Sequence, residues 1–548
     1  MSEKRSWIEI TADAVEKYAA ELKGPNQKII CASGISPSGT IHLGNLREII
    51  TVHLVSEEIK RRGLPAEHIH SWDDFDRLRK VPSNVPMSFQ QHVGKPLSDI
   101  PDPYDEYASF ALRFMTEFEN AVSELGINPR YIRQSIAYRR GDYRDQIKIA
   151  MSKRLEIFDI LAEYQTLEQE KSIDERRDEY YPFRVYCESC HRDTTKILVY
   201  EEAISEITYS CLECNYTGKF SLDNKVEGKL VWKADWPMRW SFENVDFEPA
   251  GEDHSAPGSS FTVGQKIVSR IFGGRPPYFI GYAFVGMSGR TKISSSAGTT
   301  ATPRAALDIM EPAIIRWLYV RKQPNQKFSI DFGKEIYRVY DEWDTFVSKT
   351  RNINVDNTEK YVLDMCTSTS SKDVFYSQNP VSFRLLASAA DITHGNEAQI
   401  LRIASEHLDK ASKKQFINDE IKVRLRCAVN WATNYQPEDE RTIIRDIFNE
   451  AFYSSLDDKY KNGIEMLIQR IDNDWTLEGI TTSVYGIPKL ILGYAIDHEP
   501  NEQIKSAQRE FFKILYMLIC QNETGPRLPT LFISVGKDKI KQLLISLN

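Results

Sequence analysis

Residues 28–47, KIICASGISPSGTIHLGNLR, constrain the fold of this chain more than any other stretch. The segment opens with an apolar, β-rich run and continues with glycine, serine and proline. HLGN then begins a helical pattern that ends at Gly63. A strand, a glycine-rich turn and a helix N-terminus in this order can cradle a phosphate, because the first N–H groups of a helix lack intrahelical partners. Taken alone, the segment also fits a purely structural turn of a doubly wound domain.

A second glycine-flanked segment lies far downstream, at 286–298, with the sequence GMSGRTKISSSAG. It carries Lys292 and three consecutive serines between glycines, a composition typical of a mobile cationic loop. A lysine in such a loop can close over phosphates. The two segments together therefore favour a nucleotide triphosphate as ligand.

These motifs resemble the two signatures of class I aminoacyl-tRNA synthetases: HLGN at 42–45 is similar to the first, and KISSS at 292–296 to the second. Three blocks between them, SWDDFDRLRKVP at 71–82, DWPMRW at 235–240 and GEDHSAPGSSFTVGQKI at 251–267, resemble the class I lysyl-tRNA synthetases. The resemblance runs from about residue 5 to at least residue 320, and more faintly beyond. Two positions depart from the common class I pattern, since Ile293 and Ser295 stand where methionine and a second lysine are usual.

The resemblance implies an α/β fold: a class I synthetase Rossmann-like catalytic domain with a zinc-ribbon insertion, followed by an all-α C-terminal half. A chain of 548 residues also exceeds what one core usually holds. From Arg304 onward the sequence is a succession of helical patterns, for which a plain dimerisation domain is the alternative to anticodon binding. The expected parts are the first half of the catalytic domain at 1–170, the zinc module at 171–230, the second half with the KISSS loop at 231–303, a helical stem-contact region at 304–380 and an α-helical anticodon-binding domain at 381–548.

Four of the eight cysteines form two C-x2-C pairs, Cys187 with Cys190 and Cys211 with Cys214. Two such pairs at this separation are typical of a four-thiolate zinc ribbon. Because four thiolates fill the tetrahedral coordination of Zn²⁺, we expect a structural metal with no open position. Disulfides are the alternative, which a reducing cytoplasm disfavours.

Hydropathy and net charge limit the kinds of partner that this protein can bind. The sequence has no run of 18 apolar residues and no signal-peptide core, so we expect a cytoplasmic protein with no membrane partner. The net charge of −8 argues against wholesale electrostatic binding of nucleic acid, so a tRNA would need a local basic face. We expect a monomer rather than an oligomer.

The activity implied by the resemblance is ATP-dependent conversion of L-lysine to lysyl-adenylate and transfer to the terminal ribose 2′-hydroxyl of tRNA(Lys). Neither step needs a protein nucleophile, so catalysis should depend on positioning and charge stabilisation, with Mg²⁺ bridging the phosphates. By resemblance, His42, Asn45 and Lys292 are the catalytic residues. The implied ATP-binding residues are Pro37, Gly39, His42, Gly44, Asn45, Asp253, Lys292, Ser294, Ser295 and Ser296.

The lysine substrate combines an aliphatic stem with an ammonium group, which aromatic walls and carboxylates match. Acidic residues follow the predicted strand 66–72, at the sheet edge where ligands bind. The same acidic residues can instead cap the next helix or pair with Arg77 and Arg79. With the resemblance, the candidate lysine-binding residues are Gly34, Ser36, Asp73, Asp74, Trp232, His254 and Tyr282.

Other functions fit parts of the sequence. A paralogue could activate a lysine analogue or aminoacylate an acceptor other than tRNA. A class I enzyme for glutamate or arginine is a nearer rival, but glutamate would call for arginines where this chain has the acidic cluster 73–76. A non-catalytic tRNA-binding protein would have little reason to keep both His42 and Lys292.

Overall fold

A computed structural model describes residues 5–164, 172–254, 258–288, 301–351, 356–378, 380–407 and 419–545. Four residues of the predicted ATP site, Lys292, Ser294, Ser295 and Ser296, lie outside these ranges. Within the ranges, no helix combines the length and the apolar character that a membrane span requires.

Twelve strands occur in the described residues. They are β1 (Ile29–Ile35), β2 (Ala66–Trp72), β3 (Arg130–Arg133), β4 (Phe183–Val185), β5 (Thr195–Glu201), β6 (Glu206–Cys211), β7 (Thr217–Ser221), β8 (Gly228–Leu230), β9 (Ala250–Gly251), β10 (Gly281–Tyr282), β11 (Val285–Ser288) and β12 (Phe328–Asp331). The predicted strand 66–72 is confirmed as β2.

The helices of the described residues fall into two groups, on either side of β12. The first group is α1 (Trp7–Lys23), α2 (Leu43–Arg61), α3 (Phe110–Glu124), α4 (Gln134–Arg140), α5 (Arg144–Ser152), α6 (Arg154–Ala162), α7 (Ile173–Asp178), α8 (Trp232–Glu243), α9 (Ser260–Arg270), α10 (Pro303–Ile309) and α11 (Pro312–Val320). The second is α12 (Glu335–Thr350), α13 (Asn357–Thr367), α14 (Phe383–Ile392), α15 (Glu397–Glu406), α16 (Asp419–Asn434), α17 (Glu450–Ser454), α18 (Asp458–Asn473), α19 (Leu477–Ile491), α20 (Glu502–Ile519), α21 (Leu528–Val535) and α22 (Lys537–Leu544).

The central sheet is parallel and is built from residues on both sides of the inserted segment. β1, β2 and β3 pair in that order, with Ile29 opposite Ala66 and Ile69 opposite Arg130. On the far side of β1, Phe247 bridges Cys31, Tyr278 bridges Phe247, and β9 pairs with β10. β1 thus lies in the middle of the sheet, which explains why six of its seven residues are buried. This order agrees with the predicted Rossmann-like fold.

The inserted module begins and ends at one antiparallel pair, β4 with β8. Inside it, β5, β6 and β7 form a three-stranded antiparallel sheet. Module residues such as Ile207 and Phe220 share one hydrophobic core with Phe75 and Met238 of the catalytic sequence. The insertion is therefore packed against the catalytic fold rather than tethered to it.

Three more cores occur in the described residues. One runs from Trp7 through the sheet and the following helices to Ala432, a second occupies Tyr460 to Leu544, and a small third joins the sheet to Trp236 and Trp240 of α8. After β12 the described residues form helices and isolated bridges but no strand. This confirms the predicted all-α C-terminal half with one exception: β12 lies inside the region predicted to be helical from Arg304, because its main chain pairs with β11. The five domain boundaries given above stay predictions.

Candidate functional site

The first turn of α2 is held by a reciprocal cap between His42 and Asn45. Nδ1 of His42 accepts the N–H of Gly44 at 3.0 Å, and Oδ1 of Asn45 accepts the N–H of His42 at 3.2 Å. A Cβ at Gly44 would lie 2.7 Å from the imidazole, so glycine is required for this close approach. Because Nδ1 accepts, the neutral ring carries its proton on Nε2, and burial lowers the pKa of His42. The turn therefore presents a neutral imidazole N–H donor.

The N–H groups of this first turn are already paired. Leu43 donates to the carbonyl of Ala301 at 2.8 Å, and Asn45 donates to the carbonyl of His42 at 2.9 Å. The unpaired N–H groups expected from the sequence are thus engaged in the free protein. Only the helix dipole and the side chains of His42 and Asn45 are therefore available to attract a phosphate.

Both chain ends that flank residues 289–300 lie against this turn. Ala301 is bonded to Leu43, and the Val285 carbonyl lies 3.7 Å from the position of a Cβ added at Gly44. β11, which ends at Ser288, pairs in parallel with β12 and packs on α2. The fold therefore brings the flanks of the second signature to the first.

A cavity of about 90 Å³ lies between the carboxyl ends of β1 and β2 and the helix α8. Four predicted lysine-binding residues line it, namely Gly34, Asp73, Trp232 and His254, whereas Ser36 and Asp74 do not. Tyr282 does not line the cavity, but its hydroxyl donates at 2.8 Å to Glu48, which does.

Glu48 is a site residue that the sequence reasoning missed. Its Oε1 accepts the N–H of Gly34 at 2.6 Å, and it lines the cavity from α2. Burial raises the pKa of Glu48 to about 8, although its two hydrogen bonds oppose this. The signal in the sequence was an acidic residue inside the otherwise apolar face of the HLGN helix.

Glu248 is a second missed acid, and it lines the same cavity. Its two carboxylate oxygens accept the indole N–H groups of Trp236 at 2.9 Å and Trp240 at 2.7 Å. Trp232 stacks on Trp236 with ring centres 5.2 Å apart, and His254 meets Trp236 edge-on at 5.7 Å. The four-residue spacing of these tryptophans thus reflects one face of α8, which forms an aromatic wall of the cavity.

The acidic cluster 73–76 lies in a buried network of ion pairs. Asp73 is 3.2 Å from the ammonium of Lys229 and 3.1 Å from the guanidinium of Arg239. Burial opposes ionisation of Asp73, but Arg239 and Lys229 outweigh it and lower the pKa of this carboxyl. Lys229 and Arg239 also contact Asp235. The alternative pairing of these acids with Arg77 is not seen, because Arg77 pairs with Asp193.

Asp74 has local partners of a different kind. Its carboxylate accepts the N–H of Ser135 at 2.8 Å and lies 3.2 Å from Arg133, and the side chain is fully buried. These contacts hold the start of α4 at the end of β3. Among the neighbouring acids, Asp73 is therefore the one that faces the cavity.

The remaining ATP candidates lie on two short turns near the sheet edge. Gly39 follows Pro37 after β1, and a Cβ at Gly39 would lie 3.2 Å from Pro82. Asp253 and His254 belong to a single 3-10 turn, Glu252–His254, directly after β9. The Asp253 side chain is largely exposed at this edge, so its carboxylate is accessible to a cation.

The four predicted zinc ligands converge. Sγ of Cys187 lies 3.7 Å from that of Cys214, Sγ of Cys190 lies 3.6 Å from that of Cys211, and all four sulfurs lie within 4.8 Å of one another. Four sulfurs about 2.3 Å from a tetrahedral zinc would be about 3.8 Å apart, whereas a disulfide requires about 2.05 Å. The cluster therefore fits the predicted metal and not the disulfide alternative.

The two knuckles have the same backbone design. His191 and Asn215, each next to the second cysteine of its pair, adopt left-handed φ values of 62° and 58°. Their N–H groups return to the carbonyls of Cys187 at 2.8 Å and Cys211 at 3.1 Å. This repeated turn aims both thiols of each pair to the same side.

The chain is similar to several known proteins. The family model of the tRNA synthetases class I (K) matches residues 5–368. A lysine–tRNA ligase of Streptomyces coelicolor is 41% identical over 99% of this chain and 98% of that protein. One of Pyrococcus horikoshii is 31% identical over 97% of both chains, and one of Borreliella burgdorferi is 32% identical over 98% of both. A solved glutamate tRNA ligase from Elizabethkingia meningosepticum aligns with 95% of this chain and 100% of its own, at a TM-score of 0.41 and 12% identity.

Proposed function

The chain belongs to the class I lysyl-tRNA synthetase family, and from that premise we propose that it is an ATP-dependent lysine–tRNA ligase. One observation of the fold carries the proposal: the His42–Asn45 turn lies against both flanks of the second signature. The test is pyrophosphate exchange with each of the twenty amino acids, followed by charging of tRNA(Lys). Exchange that depends on lysine alone supports the proposal, and exchange with another amino acid contradicts it.

Adenylate formation requires the lysine carboxylate to attack the α-phosphorus of ATP while pyrophosphate departs. We assign His42 to donate its Nε2–H to a phosphate oxygen, and the Asn45 amide to a second oxygen. Gly44 has no side chain and so leaves space for ATP beside this turn. Lys292 is assigned to the departing pyrophosphate, Ser294, Ser295 and Ser296 to the shape of its loop, and Pro37 and Gly39 to the ATP side of the turn after β1.

The lysine pocket must hold two ammonium groups, and the cavity offers acids for both. We assign Glu48 to the α-ammonium, because it lies on α2, which His42 caps, and is therefore near the reacting end. Gly34 completes that end, and Ser36, which does not line the cavity, is not assigned to the substrate. The ε-ammonium is assigned to Glu248 and Asp73, with Trp232 and His254 along the aliphatic stem and Tyr282 orienting Glu48. Since Asp74 lies outside the cavity, we do not assign it to the substrate.

Metal ions complete the proposed machinery. Mg²⁺ would neutralise the phosphates, with Asp253 as the accessible carboxylate near them. Cys187, Cys190, Cys211 and Cys214 would hold a structural Zn²⁺ that fixes the two knuckles. The catalytic roles of this proposal need no redox or nucleophilic chemistry from the zinc module.

The proposal extends to the partners. ATP, L-lysine and tRNA(Lys) are the substrates, and transfer goes to the terminal 2′-hydroxyl. We assign stem contacts to residues 304–380 and anticodon binding to 381–548, in a protein that acts as a monomer in the cytoplasm. Truncation after Asn434, which leaves the first core whole, should then weaken tRNA charging far more than pyrophosphate exchange.

A further inference from the structure

Arg47 is a buried arginine of α2 whose hydrogen bonds, among the described residues, go only to carbonyl oxygens. The residue is 2% exposed, and Nη2 donates to the carbonyls of Gln323 at 2.6 Å and Pro324 at 2.8 Å, whereas Nη1 has no partner among the described residues. The guanidinium carbon lies 5.1 Å from the centre of the Phe328 ring. Among the residues that the structure describes, no carboxylate pairs with it, and burial lowers its pKa.

The Pro324 carbonyl accepts hydrogen bonds both from α2 and from the strand region beside it. Besides Arg47, it accepts the N–H of Ala283, which lies between β10 and β11, at 2.8 Å. Phe328, against which the guanidinium lies, is the first residue of β12 and pairs with Val285 of β11. Through these contacts one side chain ties α2 to both strands at the base of the second signature.

Burying a guanidinium without a carboxylate is costly, because carbonyl dipoles replace its hydration only in part. An apolar side chain could pack against Phe328 without this cost. It could not, however, hold two carbonyl oxygens at hydrogen-bond distance from α2. A buried arginine at this position therefore indicates that the distance between α2 and the two carbonyl oxygens must be fixed.

We propose that Arg47 is a positioning residue for adenylate formation, which sets the spacing between His42 on α2 and the β11 strand that leads to the second signature. The proposal rests on the proposed function. Arg47 is not among the residues that line the lysine cavity. Its loss should therefore lower kcat of pyrophosphate exchange and leave KM for lysine nearly unchanged.

Arg316 provides a matched control. It is fully buried and also donates to carbonyl oxygens, those of Leu125 at 2.8 Å and Met365 at 2.6 Å. Its guanidinium also lies 3.0 Å from Nε2 of His53 on α2, but none of its contacts involves β11, β12 or the Pro324 carbonyl. Substitution of Arg316 should thus lower stability as Arg47 substitution does, without the effect on kcat.

The experiment compares Arg47→Met, Arg47→Lys and Arg316→Met in the full-length, zinc-loaded protein. Measurements are kcat and KM for lysine and ATP in pyrophosphate exchange, together with Tm. We expect Arg47→Met to lose about 10²-fold in kcat, the effect of a misplacement near 1 Å. Arg47→Lys should recover part of the loss, because an ammonium can still donate to these carbonyls. Arg316→Met should keep kcat within about threefold at a similar Tm loss.

Three outcomes would overturn the proposal: kcat of Arg47→Met within about threefold of the unmodified protein, an equal loss of kcat in Arg316→Met, or a loss confined to KM for lysine. If Arg47→Met does not fold, Arg47→Lys alone decides, and unchanged kcat counts against Arg47. Absence of lysine-dependent exchange in the unmodified protein would overturn the proposed function, and this proposal with it. Exchange that is normal in the unmodified protein and in Arg47→Met would overturn the role of Arg47 alone.

Discussion

The main-chain N–H of Leu43 donates to the carbonyl oxygen of Ala301 at 2.8 Å. Leu43 directly follows His42 in the first signature, and Ala301 directly follows residues 289–300, which contain the second signature. A single hydrogen bond thus joins two parts of the sequence that are far apart along the chain.

Removal of the Lys292 ammonium tests the role proposed for the second signature. Lys292→Ala should reduce lysine-dependent pyrophosphate exchange severely, because charge on the departing pyrophosphate would be left uncompensated, and should leave lysine binding nearly intact. The control is Lys327→Ala, an exposed lysine just before β12. Exchange that survives in Lys292→Ala within about tenfold, ~1.4 kcal/mol, would contradict the role.

Lysine affinity should rise with pH through Glu48. The pKa of this carboxyl is raised to about 8 in the free protein, so at pH 6 to 7 it mostly carries a proton. A bound ammonium favours the carboxylate, so binding releases that proton, and affinity increases with pH up to about 8 and then levels off. Calorimetric titration of lysine between pH 6 and 9 measures this slope.

Two variants give the pH measurement its controls. Glu48→Gln should bind lysine more weakly and lose the slope, whereas Tyr282→Phe removes one hydrogen bond and should keep it. A slope that persists in Glu48→Gln would assign the proton to another group.

The cysteine cluster should hold one zinc per chain, and its loss should destabilise the inserted module. Cys214→Ser replaces a ligand at the exposed corner of the cluster, so metal content and Tm should both fall. Cys520→Ala, which changes a buried cysteine of the C-terminal core, should keep its zinc. Metal analysis that finds full zinc in Cys214→Ser would argue against a four-thiolate site.

Acid should destabilise the catalytic fold through three enclosed histidines. Burial lowers the pKa of His53, His68 and His70, the last to about 3, while His68 and His70 share Ser33 Oγ at 2.9 and 2.8 Å. Below about pH 6.5 the unfolded chain binds protons that the folded chain excludes, so stability falls with decreasing pH. The loss by pH 5 is up to ~2 kcal/mol per histidine.

Scanning calorimetry at pH 5, 6 and 7 would measure this effect. His70→Gln should show a smaller fall in Tm between pH 7 and 5 than the unmodified protein. The exposed His498 is the control, because His498→Gln should leave the pH dependence unchanged. An unchanged pH dependence in His70→Gln would contradict the assignment.

Sequence reasoning located the parts of the site that are local in the chain. The strand, turn and helix N-terminus at 28–47 and the two C-x2-C pairs are specified within a few residues, and the structure forms both. Their chemistry follows from backbone geometry and ligand spacing, which neighbours along the chain set.

The residues that line the cavity beside α8 were less accessible to sequence reasoning. Whether Asp73 faces a substrate or a cation depends on Lys229 and Arg239, which lie far along the chain. Glu248 is recognisable as a site residue only once Trp236 and Trp240 are placed beside it. No pattern of neighbouring residues in the sequence specifies these distances.

The sequence by itself determined the family, the order of the two signatures and the four cysteines that converge, because these lie in motifs of fixed spacing. Tertiary structure alone decided that both flanks of residues 289–300 meet the α2 N-terminus and that Glu48 and Glu248 share one cavity. The physical reason is that pairing of parallel strands and burial of charge depend on contacts between residues distant in the chain, which only the folded protein brings together.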